Sequence, residues 1–209
     1  MNKQKQLKEE IETLLKEIAE KTSNSERFEF WKYLAKMDKL LEEVKEDYVA
    51  GSVDKSATIN GRIILEEGAT IKPYTVIEGN AYISKYAEIG PFAYLRGNVI
   101  IARNCRIGRT EVKHSIILEN SKASHFSYIG DSIVGRDVNF GAGTKLANLR
   151  FDNKNIKFLI RDKLVDSGQR KLGAIVCDDV KTGCNVTINC GSFVPKGTFI
   201  LPNTFWKEK

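Results

Sequence analysis

The chain carries two histidines, His114 and His125, and one of them has surroundings suited to chemistry. His125 lies in Lys122-Ala123-Ser124-His125-Phe126-Ser127-Tyr128, and the run Gly141-Ala142-Gly143 follows it. Histidine titrates nearest neutral pH, so it is the natural base for taking a proton from an amine that attacks a carbonyl. Three small residues in a row present backbone N–H groups without side-chain obstruction, which suits the oxyanion formed in such an attack. Further on, Asn148–Lys171 holds Arg150, Lys154, Lys157, Arg161, Lys163, Arg170 and Lys171 against Asp152, Asp162 and Asp166, a net charge of +4. Cations at that density suit a phosphate-bearing ligand. Acyl transfer to an amine carried by an anionic small molecule would use all three features. His114 has no such company and reads as a surface residue.

These groups need a frame, and the sequence supplies one with a period of six. Val53, Ile59, Leu65, Ile71, Ile77, Ile83, Ile89, Leu95, Ile101 and Ile107 are aliphatic and evenly spaced. The residue four further on is mostly small, as at Ala57, Ala69, Thr75, Ala81, Ala87, Ala93 and Cys105, with Ile63 the exception. The register returns at Val176, Thr182, Ile188, Val194 and Ile200. Neither a helix nor an alternating strand gives that signal. A solenoid does: each hexad supplies a short strand and a corner, three make a turn of about 18 residues, and stacked turns pair at about 4.8 Å. The aliphatic residue fills the axis and the small one fits near a corner, which makes Cys105 a buried small hydrophobe. Two segments break the period, Glu111–Tyr128 and Asn148–Lys171, and they hold the candidate chemistry. A departure from a strict repeat is where function is expected.

Residues up to about Tyr48 follow a helical period instead. Leu7, Ile11, Leu14, Leu15 and Ile18 form one apolar stripe. Thr22-Ser23-Asn24-Ser25 offers N-caps for a second helix burying Phe28, Trp31, Leu34, Leu41, Val44 and Tyr48. The division expected is a helical segment over 1–50 and a β-solenoid over 51–209, with an inserted basic loop at about 149–171. The helical hairpin is a docking or oligomerisation element that could cap the open end of the solenoid.

Composition narrows the classes. The chain has 209 residues, 42% hydrophobic and 29% charged, enough for a sizeable core and too apolar for a disordered chain. No apolar run approaches a membrane span, and the polar start Met1–Gln6 lacks a signal sequence, so the expectation is a cytoplasmic protein with no membrane partner. Cys105, Cys177, Cys184 and Cys190 show no C-x-x-C spacing, and with two histidines no metal site is expected. The net charge of +6 belongs to the second part of the chain and favours an anionic ligand. Nucleic acid is not expected, because no aromatic–basic surface pattern accompanies the charge.

The string Glu111-Val112-Lys113 … Lys122-Ala123-Ser124-His125-Phe126-Ser127-Tyr128-Ile129-Gly130-Asp131 … Val138-Asn139-Phe140-Gly141-Ala142-Gly143-Thr144 … Asn148 is more specific than the hexads. It resembles the acetyltransferase domain of bifunctional N-acetylglucosamine-1-phosphate uridyltransferase/glucosamine-1-phosphate acetyltransferase, a left-handed β-helix acyltransferase of hexapeptide repeats. Ala147-Asn148-Leu149-Arg150 and Arg170-Lys171-Leu172-Gly173-Ala174 resemble the branch that also handles other sugar-1-phosphates. The likeness covers about Val53–Leu201. Residues 1–50 are too few for the uridyltransferase domain and hold no glycine-rich nucleotide loop.

The resemblance implies a mainly β fold and an acetyl-CoA-dependent N-acetyltransferase acting on glucosamine-1-phosphate or galactosamine-1-phosphate, serving nucleotide-sugar (UDP-N-acetylglucosamine) biosynthesis. By position, His125 matches the general base. Tyr128, Asn148 and Lys154 match residues that hold the amino sugar and its phosphate, with Lys157 beside them in the basic loop. Arg96 and Lys113 match phosphate-binding cations, and Asn139 a residue near the reacting groups. Ala142 matches a position whose backbone meets the thioester carbonyl, and Cys184 falls in the stretch matching the coenzyme A wall. Homotrimers with each site between adjacent subunits are implied. Arg96-Gly97-Asn98 replaces the family's Arg-Pro-Gly, and Cys177, Cys184 and Cys190 replace commoner small residues or proline. The alternative is a non-catalytic trimeric scaffold or regulatory partner of a sugar nucleotidyltransferase.

Overall fold

Where the chain takes up the six-residue period, it coils. The structure, a computed structural model, describes residues 3–207; of the polar start, Met1 and Asn2 lie outside the described residues. Each hexad gives a short strand that pairs in parallel with the strand three hexads on. Ile63–Leu65 pairs with Ala81–Ile83, and that with Val99–Ile101. The same step relates Thr58 to Val76 and Val76 to Tyr94 in a second ladder, and Thr70 to Glu88 and Glu88 to Arg106 in a third. The result is a parallel β-solenoid. Its axis is packed by the periodic aliphatics from Leu65 to Ile107 together with Ala69, Ala81, Ala87, Ala93 and Cys105, all buried. Burying each large aliphatic contributes about 1.5–3 kcal/mol. Val53 and Ile59, in the first coil, are exposed and half-buried.

One corner column begins with three glycines. A Cβ on Gly61 would lie 2.1 Å from the Gly79 carbonyl oxygen, and one on Gly79 2.5 Å from that of Gly97. Gly79 and Gly97 also have φ of 121° and 65°. At Gly61 and Gly79 the backbone approaches too closely for any side chain. Gly97 has room for a Cβ, 3.5 Å from that of His114, and it is its φ of 65° that excludes proline.

The helices lie along the side of the solenoid and do not cap its end, which corrects the sequence expectation. Ile64, Tyr82, Ile100, Ile116, Ile133, Ile175 and Phe193 stand in register on one eight-stranded sheet. They point outward, so this face is apolar on both sides and has to be covered. Helix α1 (Lys3–Ser23) and helix α2 (Phe30–Glu42) cover it with Leu7, Ile11, Leu14, Leu15, Ile18, Phe30, Leu34, Met37 and Leu41. Near the start of α1, Lys8 pairs with Glu66 at 3.6 Å. Just past its end the Ser25 hydroxyl accepts the Lys196 N–H at 2.8 Å, so the helix runs the length of the face.

Helix α2 is also shorter than its apolar pattern suggests. Its N-cap is Glu29, which makes no side-chain capping bond, and it stops at Glu42. Tyr48–Val49 is instead a strand paired with Ile64–Leu65, and Tyr48 is exposed. The Asp47 carboxylate, accepting the Ile63 N–H at 2.9 Å, turns the chain into the first coil. Phe28 and Val44 are buried as expected but outside the helix, and Trp31 is half-buried. No described helix is long and apolar enough to cross a membrane.

Two long strands carry the site: β1 (Arg106–Lys113) and β2 (Lys122–Gly130). Both run straight through the position where earlier coils turn a corner. Arg109 pairs with His125 but Glu111 with Tyr128, so β2 holds one extra residue and bulges there. A bulge re-aims side chains. The basic insertion folds as an antiparallel hairpin of β3 (Lys157–Ile160) and β4 (Lys163–Asp166). Phe158, wholly buried, anchors it edge-on to Phe30 at 5.3 Å and Trp31 at 6.3 Å.

Candidate active site

The bulge in β2 falls between His125 and Tyr128, with Phe126 at φ 34°. It leaves the His125 side chain exposed, and the imidazole makes no hydrogen bond among the described residues. Its backbone is fixed, however. The His125 carbonyl accepts the Gly143 N–H at 3.0 Å and the Ser127 hydroxyl at 3.2 Å. The Gly141–Gly143 turn is therefore stacked directly on the His125 corner. Gly141 N–H donates to both the carbonyl and the hydroxyl of Thr182, each at 3.0 Å. Ala142 N–H has no partner among the described residues, so one donor of this turn is unused. A Cβ on Gly143 would come within 2.5 Å of Asn185 Oδ1, and its φ is 74°. Asn139, exposed, bridges between Lys122 and Lys181 in the same stack. Cys184 is exposed in the coil that follows.

A second cluster gathers at the far end of β1 and β2. Register places Lys113 between Arg96 and Gly130, and Glu111 between Tyr94 and Tyr128. Arg96 Nε donates to Glu111 at 2.6 Å. Lys113 Nζ donates to both oxygens of Asp131, at 2.6 and 2.7 Å, and Asn148 Nδ2 to Oδ2 at 2.5 Å. Tyr128 and Asn148 meet over Gly130, where a Cβ would lie 2.6 Å from Tyr128 Oη and 2.8 Å from Asn148 Nδ2. Burial, with Asp131 nearby, raises the Tyr128 phenol above its usual range, so it remains a donor. Asn148 stands at the neck of the insertion, its carbonyl accepting the Leu172 N–H at 3.0 Å.

His114 is not a surface residue, which overturns the sequence reading. Its Nδ1 lies 2.9 Å from Asp131 Oδ1 and its Nε2 3.1 Å from Asp38 Oδ2, on α2. Burial alone would lower its pKa, but the hydrogen bonds to Asp131 and Asp38 outweigh it and raise the value to about 9. Burial would likewise raise Asp131, yet His114, Lys113 and Asn148 together hold it below the ordinary carboxylate range. Sequence reasoning missed Asp131, Glu111 and Asp38.

Within one chain, then, Arg96, Lys113, Tyr128 and Asn148 come together. His125 stands three residues along the strand from Tyr128, about 10 Å of chain. Lys154 and Lys157 do not join them: among the described residues no hydrogen bond or ion pair ties either side chain to Tyr128 or His125. Lys154 N–H donates to Asp152 and Lys157 pairs with Asp166 in the hairpin. Among the described residues, no three His, Cys, Asp or Glu side chains converge as metal ligands.

Known proteins resemble this chain over most of the solenoid. A bifunctional sugar-1-phosphate nucleotidylyltransferase/acetyltransferase of Sulfurisphaera tokodaii is 52% identical over 139 residues, 66% of this chain and 35% of the relative. The bifunctional protein GlmU of Methanococcus maripaludis is 50% identical over 174 residues, 83% of this chain and 42% of its own length. This chain thus spans well under half of the relatives it matches. A hexapeptide transferase family protein from Anaplasma phagocytophilum, 19% identical, covers 77% of this chain and 76% of its own, with a TM-score of 0.26. The profile of the GMPPB C-terminal domain matches residues 77–203. That span takes in both long strands, the glycine turn and the inserted hairpin, and the chain belongs to this GMPPB C-terminal domain family.

Proposed function

We propose that the chain is an acetyl-CoA-dependent N-acetyltransferase acting on glucosamine-1-phosphate or galactosamine-1-phosphate. The observation that carries this reading is the exposed His125 imidazole beside the Ala142 N–H of the glycine turn, neither with a hydrogen-bond partner among the described residues. His125 takes the proton as the sugar amine attacks the thioester carbonyl. The N–C bond forms, the tetrahedral oxyanion is met by the Ala142 N–H, and the C–S bond breaks, the leaving thiolate taking the proton from His125 to give coenzyme A thiol and the free base. Arg96, Lys113, Tyr128 and Asn148 receive the amino sugar and its phosphate. Lys154 and Lys157, tied to none of these four by a hydrogen bond or ion pair among the described residues, serve the site across the interface of a homotrimer, with Asn139 beside the reacting groups. The names of the relatives support the acetyl donor and the sugar-1-phosphate.

The test is release of free thiol from acetyl-CoA with each amino-sugar phosphate. Turnover with either supports the reading, and none with both overturns it. The acyl-donor wall has its own readout. Cys184 is exposed, whereas burial pushes Cys105 and Cys177 up to about 12. Iodoacetamide should therefore label Cys184 first. Saturating acetyl-CoA, whose sulfur is blocked and does not consume the reagent, should slow that labelling about tenfold or more if the pantetheine arm lies over Cys184. Labelling unaffected by acetyl-CoA removes Cys184 from the wall.

A further inference from the structure

Helix α2 is tied to the solenoid by a column of polar side chains next to the glycine corner. Asn80 Nδ2 donates to the Leu41 carbonyl at 3.0 Å, Asn98 Nδ2 to Asp38 Oδ1 at 2.8 Å, and His114 Nε2 lies 3.1 Å from Asp38 Oδ2. Only the last tie leads into the candidate site, because the other ring nitrogen of His114 reaches Asp131. We propose that α2 is a working part of the sugar-phosphate site: Asp38, acting through His114, fixes the Asp131 carboxylate and with it Lys113 Nζ and Asn148 Nδ2. Asp38 and His114 are then positioning residues. This rests on the acetyltransferase reading for its substrate and on geometry for its chain of contacts.

The charge arrangement explains why two extra groups are needed. The Asp131 side chain is 5% exposed and that of Lys113 17% exposed. A buried carboxylate needs a cation and several donors. If Lys113 alone supplied the charge, its ammonium would be spent on Asp131 and drawn away from a phosphate. A protonated His114 shares that task on Oδ1, leaving Lys113 a partly uncommitted charge. Asp38 keeps His114 protonated and orients the ring so that Nδ1 faces Asp131. The groups around the imidazole are Asp38 from α2, Asp131 and Lys113 from the solenoid, and Lys171, which lines the same cavity of about 180 Å³.

The test is Asp38→Asn, with His114→Gln as the second variant should the first fail to fold, both in the full chain at pH 8. KM for the amino-sugar phosphate should rise about tenfold, kcat should stay within about threefold, and KM for acetyl-CoA should not move. Asp38→Glu should recover part of the loss. An unchanged KM in both folded variants overturns the proposal, as does a fall in kcat alone. Nitrogen-15 NMR reads the same chain without turnover. In Asp38→Asn the proton affinity of His114 should fall about tenfold or more and the Asn148 side-chain amide should shift. A wild-type protein without turnover defeats the acetyltransferase reading, and the relay is then decided by NMR. An unmoved His114 or Asn148 signal overturns it.

Discussion

His125→Ala should lower kcat for acetyl transfer by about 10²–10⁴-fold while leaving the fold intact. The size follows from the role: a base positioned to take the proton as the amine attacks is absent, and solvent replaces it. The selectivity follows from the structure. The imidazole is exposed and contacts no polar partner among the described residues, so its removal leaves nothing buried and unpaired. An exposed substitution of that kind moves stability by about 0.5 kcal/mol or less. The carbonyl of residue 125 still receives the Gly143 N–H, so the glycine turn keeps its place. Residual turnover above the solution rate is expected, because the Ala142 N–H remains to meet the oxyanion. The measurement is thiol release under saturating substrates, with the thermal transition recorded beside it. Full activity in the variant removes His125 from the mechanism. A loss of activity that tracks a loss of folded protein removes the interpretation.

The solenoid was legible because its period is a direct image of its geometry. One aliphatic per hexad at the axis is a constraint on every coil, and Leu65 through Ile107 obey it without a gap. The seat of the helices, expected at the open end and found on one face, could have been read from a signal other than the apolar stripes. Ile63-Ile64-Leu65, Ala81-Tyr82-Ile83, Val99-Ile100-Ile101 and Ala174-Ile175-Val176 are apolar on three consecutive positions, which marks a face buried on both sides. Val76-Ile77-Glu78 and Tyr94-Leu95-Arg96, on the neighbouring ladder, are not. The His114–Asp131 contact could have been read from repeat arithmetic, since residues one coil apart are stacked neighbours and Lys113 pairs with Gly130. Asp38 could not. It comes from a separate element whose position along the face is set by packing, and no spacing in the chain encodes it. The hairpin had the same difficulty: its charges suggested a loop for a phosphate-bearing ligand, while the residue that seats it is Phe158 against Phe30.

Asp131→Ala should destabilise the protein by about 3–5 kcal/mol, because it removes the acceptor shared by Lys113, His114 and Asn148 and strands two cations in a partly buried place. Urea unfolding at pH 6 is the measurement, and a loss under about 1 kcal/mol would mean that water replaces the carboxylate. The network also sets a pH window for the wild type. His114 has its pKa raised from 6.5 to about 9 on folding, so its contribution is complete below about 6.5 and is lost as pH climbs through 9. At most that amounts to about 3 kcal/mol. Asp131 and Asp38 are shifted the other way, so their contributions are present above the ordinary carboxylate value of 3.8 and are lost as pH falls through the lower folded values. Stability from this cluster is therefore greatest between the ordinary carboxylate and imidazole values, and declines on both sides. In Asp131→Ala the alkaline decline should shrink, since His114 keeps only Asp38 as an acceptor. In His114→Gln it should vanish, while the acid-side decline persists. A wild-type profile that is flat from pH 6.5 to 9 would show that the two carboxylates do not hold the proton on His114, and the charge balance that frees Lys113 for phosphate would fail with it.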